Sequence, residues 1–172
     1  QLSTAQVSGL SSSQVAAMTS AQVNAFTPTL IGALGTGAIA ALSTAAVSAF
    51  STDAINALGT DQIVALTSAQ AGALTTTQVL VMGTQQIAAL ETQDLASIST
   101  AGIAVLSTDD IRALNTAHVA SLATRQVAAL STDELVAMTS NQVNAFTINE
   151  LAALSYNQLS ALTSSGTLSV TG

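Results

Sequence analysis

Stepping along the chain by eight from Leu2, every residue met is large and apolar. Leu10, Met18, Phe26 and Leu34 follow, and the series runs without a slip through Leu154 to Leu162. Twenty-one octads share one frame, and such self-similarity decides the fold before any local propensity does. With that residue labelled a, position b is Ser, Thr, Gly or Asn, except at Glu91 and Ala123. Position c is mostly Thr. Position e is Gln or an acid in most octads, and f is Val, Ile or Leu except at Ala71 and Thr167. Position h is nearly always Ala, Gly or Ser, giving the consensus L-S-T-x-Q-V-x-A.

That consensus is a helix-start signal written once per octad. A hydroxyl at b suits an N-cap, because it accepts from the unpaired N–H groups of the first turn. Gln or Glu three residues later completes a capping box, and the apolar a and f residues fall at the two positions of a hydrophobic staple. Asp53, Asp61, Asp109 and Asp133 stand at d, in the first turn, where carboxylates meet the positive end of the helix dipole. Pro28 stands at c, the first helical position, which suits proline. Each octad therefore predicts one helix of about six or seven residues, broken before the next cap.

Two other backbones fit less well. In one continuous helix, eight residues advance about 800°, so the a residues would spiral by about 80° per octad and form no stripe. In a β-solenoid, a and f would point to opposite faces, and Ala and Gln are poor strand residues. A helix of under two turns does not persist alone in water, so each octad must bury a and f against other octads. The expected fold is all-α, a solenoid of short helices around an aliphatic axis.

The number of octads per coil turn is suggested by longer spacings. Gly35, Gly59 and Gly83 recur at every third octad, as do Phe26 and Phe50. The segments Met18–Thr27 and Met138–Thr147 are nearly identical and lie five such intervals apart. Three octads per turn are expected, giving seven turns and a rod of roughly 60–70 Å at helix spacings of about 8–10 Å. The array is expected over residues 1–165, with residues 166–172 as a degenerate tail in which Gly166 and Thr167 replace Gln and Val. Thr167–Gly172 reads as a strand or a linker. Neither end carries a polar capping segment, which predicts either further repeats in a parent chain or end-to-end stacking of copies. Gln1 is not an initiator Met, so the chain is expected to be a processed or excised piece, and it begins with no signal peptide.

Composition narrows the function. Charged residues make up 6% of the chain and the net charge is −7, with two Arg and no Lys, which argues against nucleic-acid binding and anionic membrane surfaces. No apolar run nears the roughly 18 residues of a membrane span, so no membrane insertion is expected. Without Cys there is no disulfide framework, thiolate zinc site or thiol nucleophile.

Candidate chemistry is sparse. His118, the one histidine, occupies e and reads as a substitute for the capping Gln, because a single His supplies neither a triad nor a zinc centre. Asp109 with Asp110, and Asp133 with Glu134, are acidic pairs three octads apart. They are read as first-turn carboxylates, with a calcium site as the alternative. Arg112 and Arg125 are expected to be solvated or paired with those acids, and Tyr156 to lie on the surface. The Thr series at c offers a regular ladder of the kind ice-binding solenoids use, although capping already accounts for it. No catalytic, cofactor-binding or metal-binding residue is expected, and no cofactor.

The octads STAQVSGL, TSAQVNAF, STDAINAL, TSAQAGAL and STDELVAM resemble the Ser/Thr-Gln-Val-Ala-Leu octapeptide arrays of very large, secreted, adhesin-like bacterial surface proteins. The resemblance spans about residues 2–165. It implies an extracellular or cell-surface setting and a stalk role, with neighbouring repeats of the parent chain as the main partner. A self-stacking filament subunit and a ligand-binding scaffold presenting its d and g positions are the other two readings.

Overall fold

The computed structural model describes residues 2–167, and within them the chain is helical with no strand. Twenty short helices follow one another in seven coil turns. The first turn holds α1 (Thr4–Ser8), α2 (Ser12–Ala16) and α3 (Ser20–Asn24). The second holds α4 (Pro28–Gly32), α5 (Thr36–Ala41) and α6 (Thr44–Ser48), and the third α7 (Thr52–Asn56), α8 (Thr60–Val64) and α9 (Ser68–Gly72). In the fourth come α10 (Thr76–Val81), α11 (Thr84–Ala89) and α12 (Thr92–Ser97), then α13 (Thr100–Ile103), α14 (Thr108–Ala113) and α15 (Thr116–Ser121). The sixth turn has α16 (Thr124–Val127), α17 (Thr132–Ala137) and α18 (Ser140–Val143), and the last has α19 (Ile148–Ala152) and α20 (Tyr156–Ser164). Each helix packs on those three before and three after it, as α2 does on α5, α9 on α12 and α17 on α20. The coil therefore repeats every three octads, the period suggested by the glycine and phenylalanine spacings.

The break between helices is local. At the b residue before each helix the backbone is extended, as at Ser51 (φ −67°, ψ 159°), where the hydroxyl accepts from the N–H of residue e. Ser11 with Gln14, Thr75 with Gln78 and Ser155 with Gln158 form reciprocal capping boxes. Gly59, Gly83 and Ala123 supply no hydroxyl, yet each of their N–H groups still donates to the Gln at e, at 2.9, 2.9 and 2.7 Å. Pro28 stands first in α4, as its missing N–H allows. With a and b outside them, most helices are only four to six residues long, slightly shorter than the spacing predicts.

The aliphatic residues form one continuous core. The f residues are the most deeply buried, with Ile39, Leu95, Ile103 and Val119 at 0% exposure, and the a residues such as Leu90 and Leu130 close the spaces between them. At roughly 25 cal/mol per Å² of apolar area, this core is the main source of cohesion in helices too short to stand alone. Close approach is felt at g: a Cβ on Gly32 would lie 2.8 Å from the carbonyl oxygen of Ala57, one coil turn on.

The pattern ends where its residues do. At Thr163 the chain does not bend; α20 continues through Ser164 and is nine residues long. Gly166 and Thr167 offer no capping amide and no aliphatic f side chain, so nothing holds a further helix start. Gly166 then turns the chain with φ +73°, a conformation suited to glycine, and its N–H donates to the Thr163 carbonyl. The strand-or-linker reading of Thr167–Gly172 lies, beyond Thr167, outside the described residues.

Candidate functional site

The polar chemistry of this molecule is concentrated at position e. Among the described residues, all twelve buried polar or charged side chains (Gln62, Gln70, Gln78, Gln86, Asp94, Asp110, His118, Gln126, Glu134, Gln142, Glu150 and Gln158) occupy it. Position e is the third residue of each helix, so its side chain turns back toward the cap and lies inside the corner of the coil.

There each glutamine has two functions. Its Oε1 accepts from the cap N–H, and its Nε2 donates downward to the corner one coil turn below. Gln142 Nε2 donates to the carbonyls of Ile111 and Leu114, each at 2.7 Å, and Gln86 Nε2 to those of Ile55 and Leu58 at 2.8 and 2.7 Å. Gln70 and Gln62 do the same to Ile39 with Leu42 and to Ile31 with Leu34. The f carbonyl already accepts from the a N–H at the helix end, whereas the a carbonyl, such as that of Leu58 or Leu114, has no backbone donor, so one amide serves both the start of one helix and the end of another. The contact to the a carbonyl 28 residues back recurs at every such glutamine, through Gln158 to Leu130, and it is the coil pitch expressed as a hydrogen bond. The capping half of this arrangement is expected from the octad consensus; the downward half is not.

His118 substitutes for that glutamine, as its position suggests. Asn115 N–H donates to His118 Nδ1 at 3.3 Å, which leaves Nε2 as the protonated nitrogen, 2.9 Å from the Leu90 carbonyl oxygen. A ring with both nitrogens so engaged presents no lone pair to a metal.

The acidic pairs separate. Asp109 is exposed and forms an ion pair with Arg112 at 3.3 Å, while Asp110 turns inward and accepts from Ser107 N and Oγ at 2.9 and 2.6 Å. Asp133 is likewise exposed, and Glu134 is buried with Oε2 2.6 Å from Ser131 N. In each pair one carboxylate points to solvent and the other is buried against its own cap, so the two do not converge on a shared cation. Among the described residues no three His, Cys, Asp or Glu side chains are grouped as a metal site would require. Arg125 and Tyr156 are exposed. The c residues stand first in their helices, and two of their hydroxyls reach the next turn: Ser12 Oγ to the Gly37 carbonyl and Ser68 Oγ to Asp94 Oδ1, at 2.9 and 2.8 Å.

Two carboxyls are electrostatically strained. Burial pushes Asp94 above the ordinary value of 3.8, against the lowering effect of the Ser68 hydroxyl and with a further rise from the Glu91 charge. Its Oδ2 is buried without a hydrogen-bond partner. Burial also raises Glu134 above 4.5; hydrogen bonds from Ser131 oppose the rise, and Asp133 adds to it.

An open groove of about 510 Å³ runs past Asn56, Gly59, Thr60, Gly83, Thr84 and Gln85. It lies over corners where glycine stands at b. It contains no ionisable group, and Gln86 on its wall is already committed to the Gly83 N–H and the carbonyls below. Among the described residues, no helix is long and apolar enough to cross a membrane.

Comparison with curated proteins gives no match, and comparison with solved structures gives none either. The family model described as the ALTTAQ repeat matches three segments, residues 1–28, 31–68 and 87–124. Its six letters read as positions h to e of the octad, from the small residue before a to the capping glutamine, and Ala73–Gln78 (ALTTTQ) comes within one letter of them. With more than half of its length matched, this chain belongs to the ALTTAQ repeat family.

Proposed function

We propose that the array is a non-catalytic stalk, a spacer that holds other parts of an extracellular or cell-surface bacterial protein apart. The observation that carries this reading is the commitment of the buried polar side chains to the coil itself. From Gln62 to Gln158, the glutamines and His118 bond the cap beside them and the turn below, so these side chains are taken up by the coil. A coil built from one repeated contact extends by adding octads without redesign, which suits a spacer. The surface setting rests on the resemblance to secreted adhesin-like arrays.

Negative-stain microscopy of the purified chain tests it. Separate rods of about 60–70 Å support a spacer. A globular particle would contradict it.

One observation favours a second reading, an end-to-end filament. In the first described coil turn Gln6, Gln14 and Gln22 are exposed; their Oε1 atoms accept from Ser3, Ser11 and Thr19, and among the described residues their Nε2 groups meet no corner carbonyl. The corner carbonyls of a further turn, of the parent chain in the spacer reading or of another copy in the filament reading, would complete them. Long fibres of uniform width on the same grids would select this reading over the first.

A further inference from the structure

One corner column contains Gln62, Gln86, Asp110, Glu134 and Gln158. The members on either side of its acids donate an amide hydrogen to the a carbonyl of the turn below: Gln86 meets Leu58 and Gln158 meets Leu130, both at 2.7 Å. Glutamate has the shape of glutamine. Glu134 places Oε2 on the cap N–H, as a glutamine places Oε1; by the column's spacing, the corner carbonyl that its other oxygen would meet is that of Leu106. Asp94 interrupts a second column between Gln70 and His118, which donate to Leu42 and Leu90. The equivalent carbonyl for Asp94 is that of Leu66. Asp94 Oδ1 is taken by the Ser68 hydroxyl, and Oδ2 is buried and unpartnered. At both sites a carboxylate would set an acceptor against acceptors, with no hydrogen between them.

We propose that Glu134 and Asp94 are proton-dependent staples. With a proton on the free oxygen, each carboxyl donates to the corner carbonyl of the turn below, Glu134 to Leu106 and Asp94 to Leu66, in place of the glutamine amide. On loss of that proton to solvent the contact opens, and the two coil turns keep only their apolar packing and the ties at their other corners, such as those of Gln86 and Gln142.

The charges around each group favour the proton. Asp94 on α12 faces no ionisable residue on α9; α15, which also packs on α12, carries His118, and Glu91 stands at the cap of α12 itself. Glu134 on α17 has Asp133 beside it and Tyr156 on α20; α14 contributes Asp109 and Asp110 along with Arg112, whose charge is engaged by Asp109. Both carboxyls are raised, so the folded coil holds these protons more tightly than the unfolded chain does. Their stabilising contribution is full below the ordinary values of 3.8 and 4.5 and is lost as pH rises through the higher folded values. A calcium ion would need roughly six to eight oxygen ligands, which one sealed carboxyl oxygen and its neighbouring carbonyls do not provide.

The experiment is a pH titration of the ¹³C-labelled chain by NMR, paired with melting of Glu134→Gln, Asp94→Asn and the control Asp133→Asn. Glu134→Gln restores the repeat's own residue, so its folding is secure. The Glu134 and Asp94 carboxyls are expected to titrate above 4.5 and 3.8, and the carbonyl signals of Leu106 and Leu66 to move with the same midpoints. Glu134→Gln is expected to melt about 2–4 °C above the native chain at pH 7.5, with the gap closing as pH falls. Asp133→Asn should leave the pH dependence of melting in place. Midpoints at or below the ordinary values, carbonyl signals that stay still, or a melting gap independent of pH would each overturn the proposal.

Discussion

At the scale of single residues, the glutamine at e carries more of this fold than any other polar residue. Its cap-side function was legible in the sequence, because a capping box is a local pattern spanning one helix start. Its function across the coil was not, since the acceptor lies a full coil turn back and becomes a neighbour only when the coil pitch is known. One trace was available: polar residues at a core-facing position ask for partners, and the cap accounts for only one end of an amide. Gln126 shows the consequence. It is 0% exposed, accepts from Ala123 N, and its Nε2 lies 2.8 Å from the Ile98 carbonyl oxygen. Truncation to alanine would leave the Ala123 N–H and the Ile98 carbonyl unpaired in a closed corner. Gln126→Ala is therefore expected to destabilise the chain by about 2–4 kcal/mol, measured by urea unfolding. The ion pair of Asp109 with Arg112 contrasts with this, being exposed on both sides and of little energetic weight.

At the scale of the element, the helices follow from three coincident signals: a cap at b, a reciprocal side chain at e, and aliphatic a and f residues on either side. The short-helix reading, the placement of Pro28 and the three-octad period were all legible in spacing. The departure at Thr163 was only half legible, because the missing Gln and Val were seen while the continuation of α20 past a normal cap residue was not. Threonine alone does not stop a helix; the stop also needs a new start to compete with it. The same logic distinguishes the two ends of the array. Position e holds Leu30, Ala38, Ala46 and Ala54 from α4 to α7, and these have no amide to tie the second turn, or the start of the third, to the turn beneath. From α8 to α11 every helix carries an amide tie. Backbone amides of α1–α6 are expected to exchange with deuterium faster than those of α8–α11, by about tenfold or more if one or two hydrogen bonds per corner are missing. Uniform protection along the coil would show that the amides add nothing to the apolar core.

At the scale of the whole molecule, one contact made over and over gives a body without a centre. Each helix packs on the helices one coil turn before and after it, so length is set by the number of octads and not by closure of a core. That is why membership of the ALTTAQ repeat family and the proposed stalk role fit together. The central claim is that side-chain amides lock successive coil turns in register. It is tested most directly by nuclear Overhauser contacts from the assigned side-chain NH₂ protons of Gln126 and Gln142. Contacts to residues 95–98 from Gln126 and to residues 111–114 from Gln142, with slow exchange of those protons, are the predicted result. Side-chain NH₂ groups that exchange freely with water and show contacts only within their own octads would contradict it.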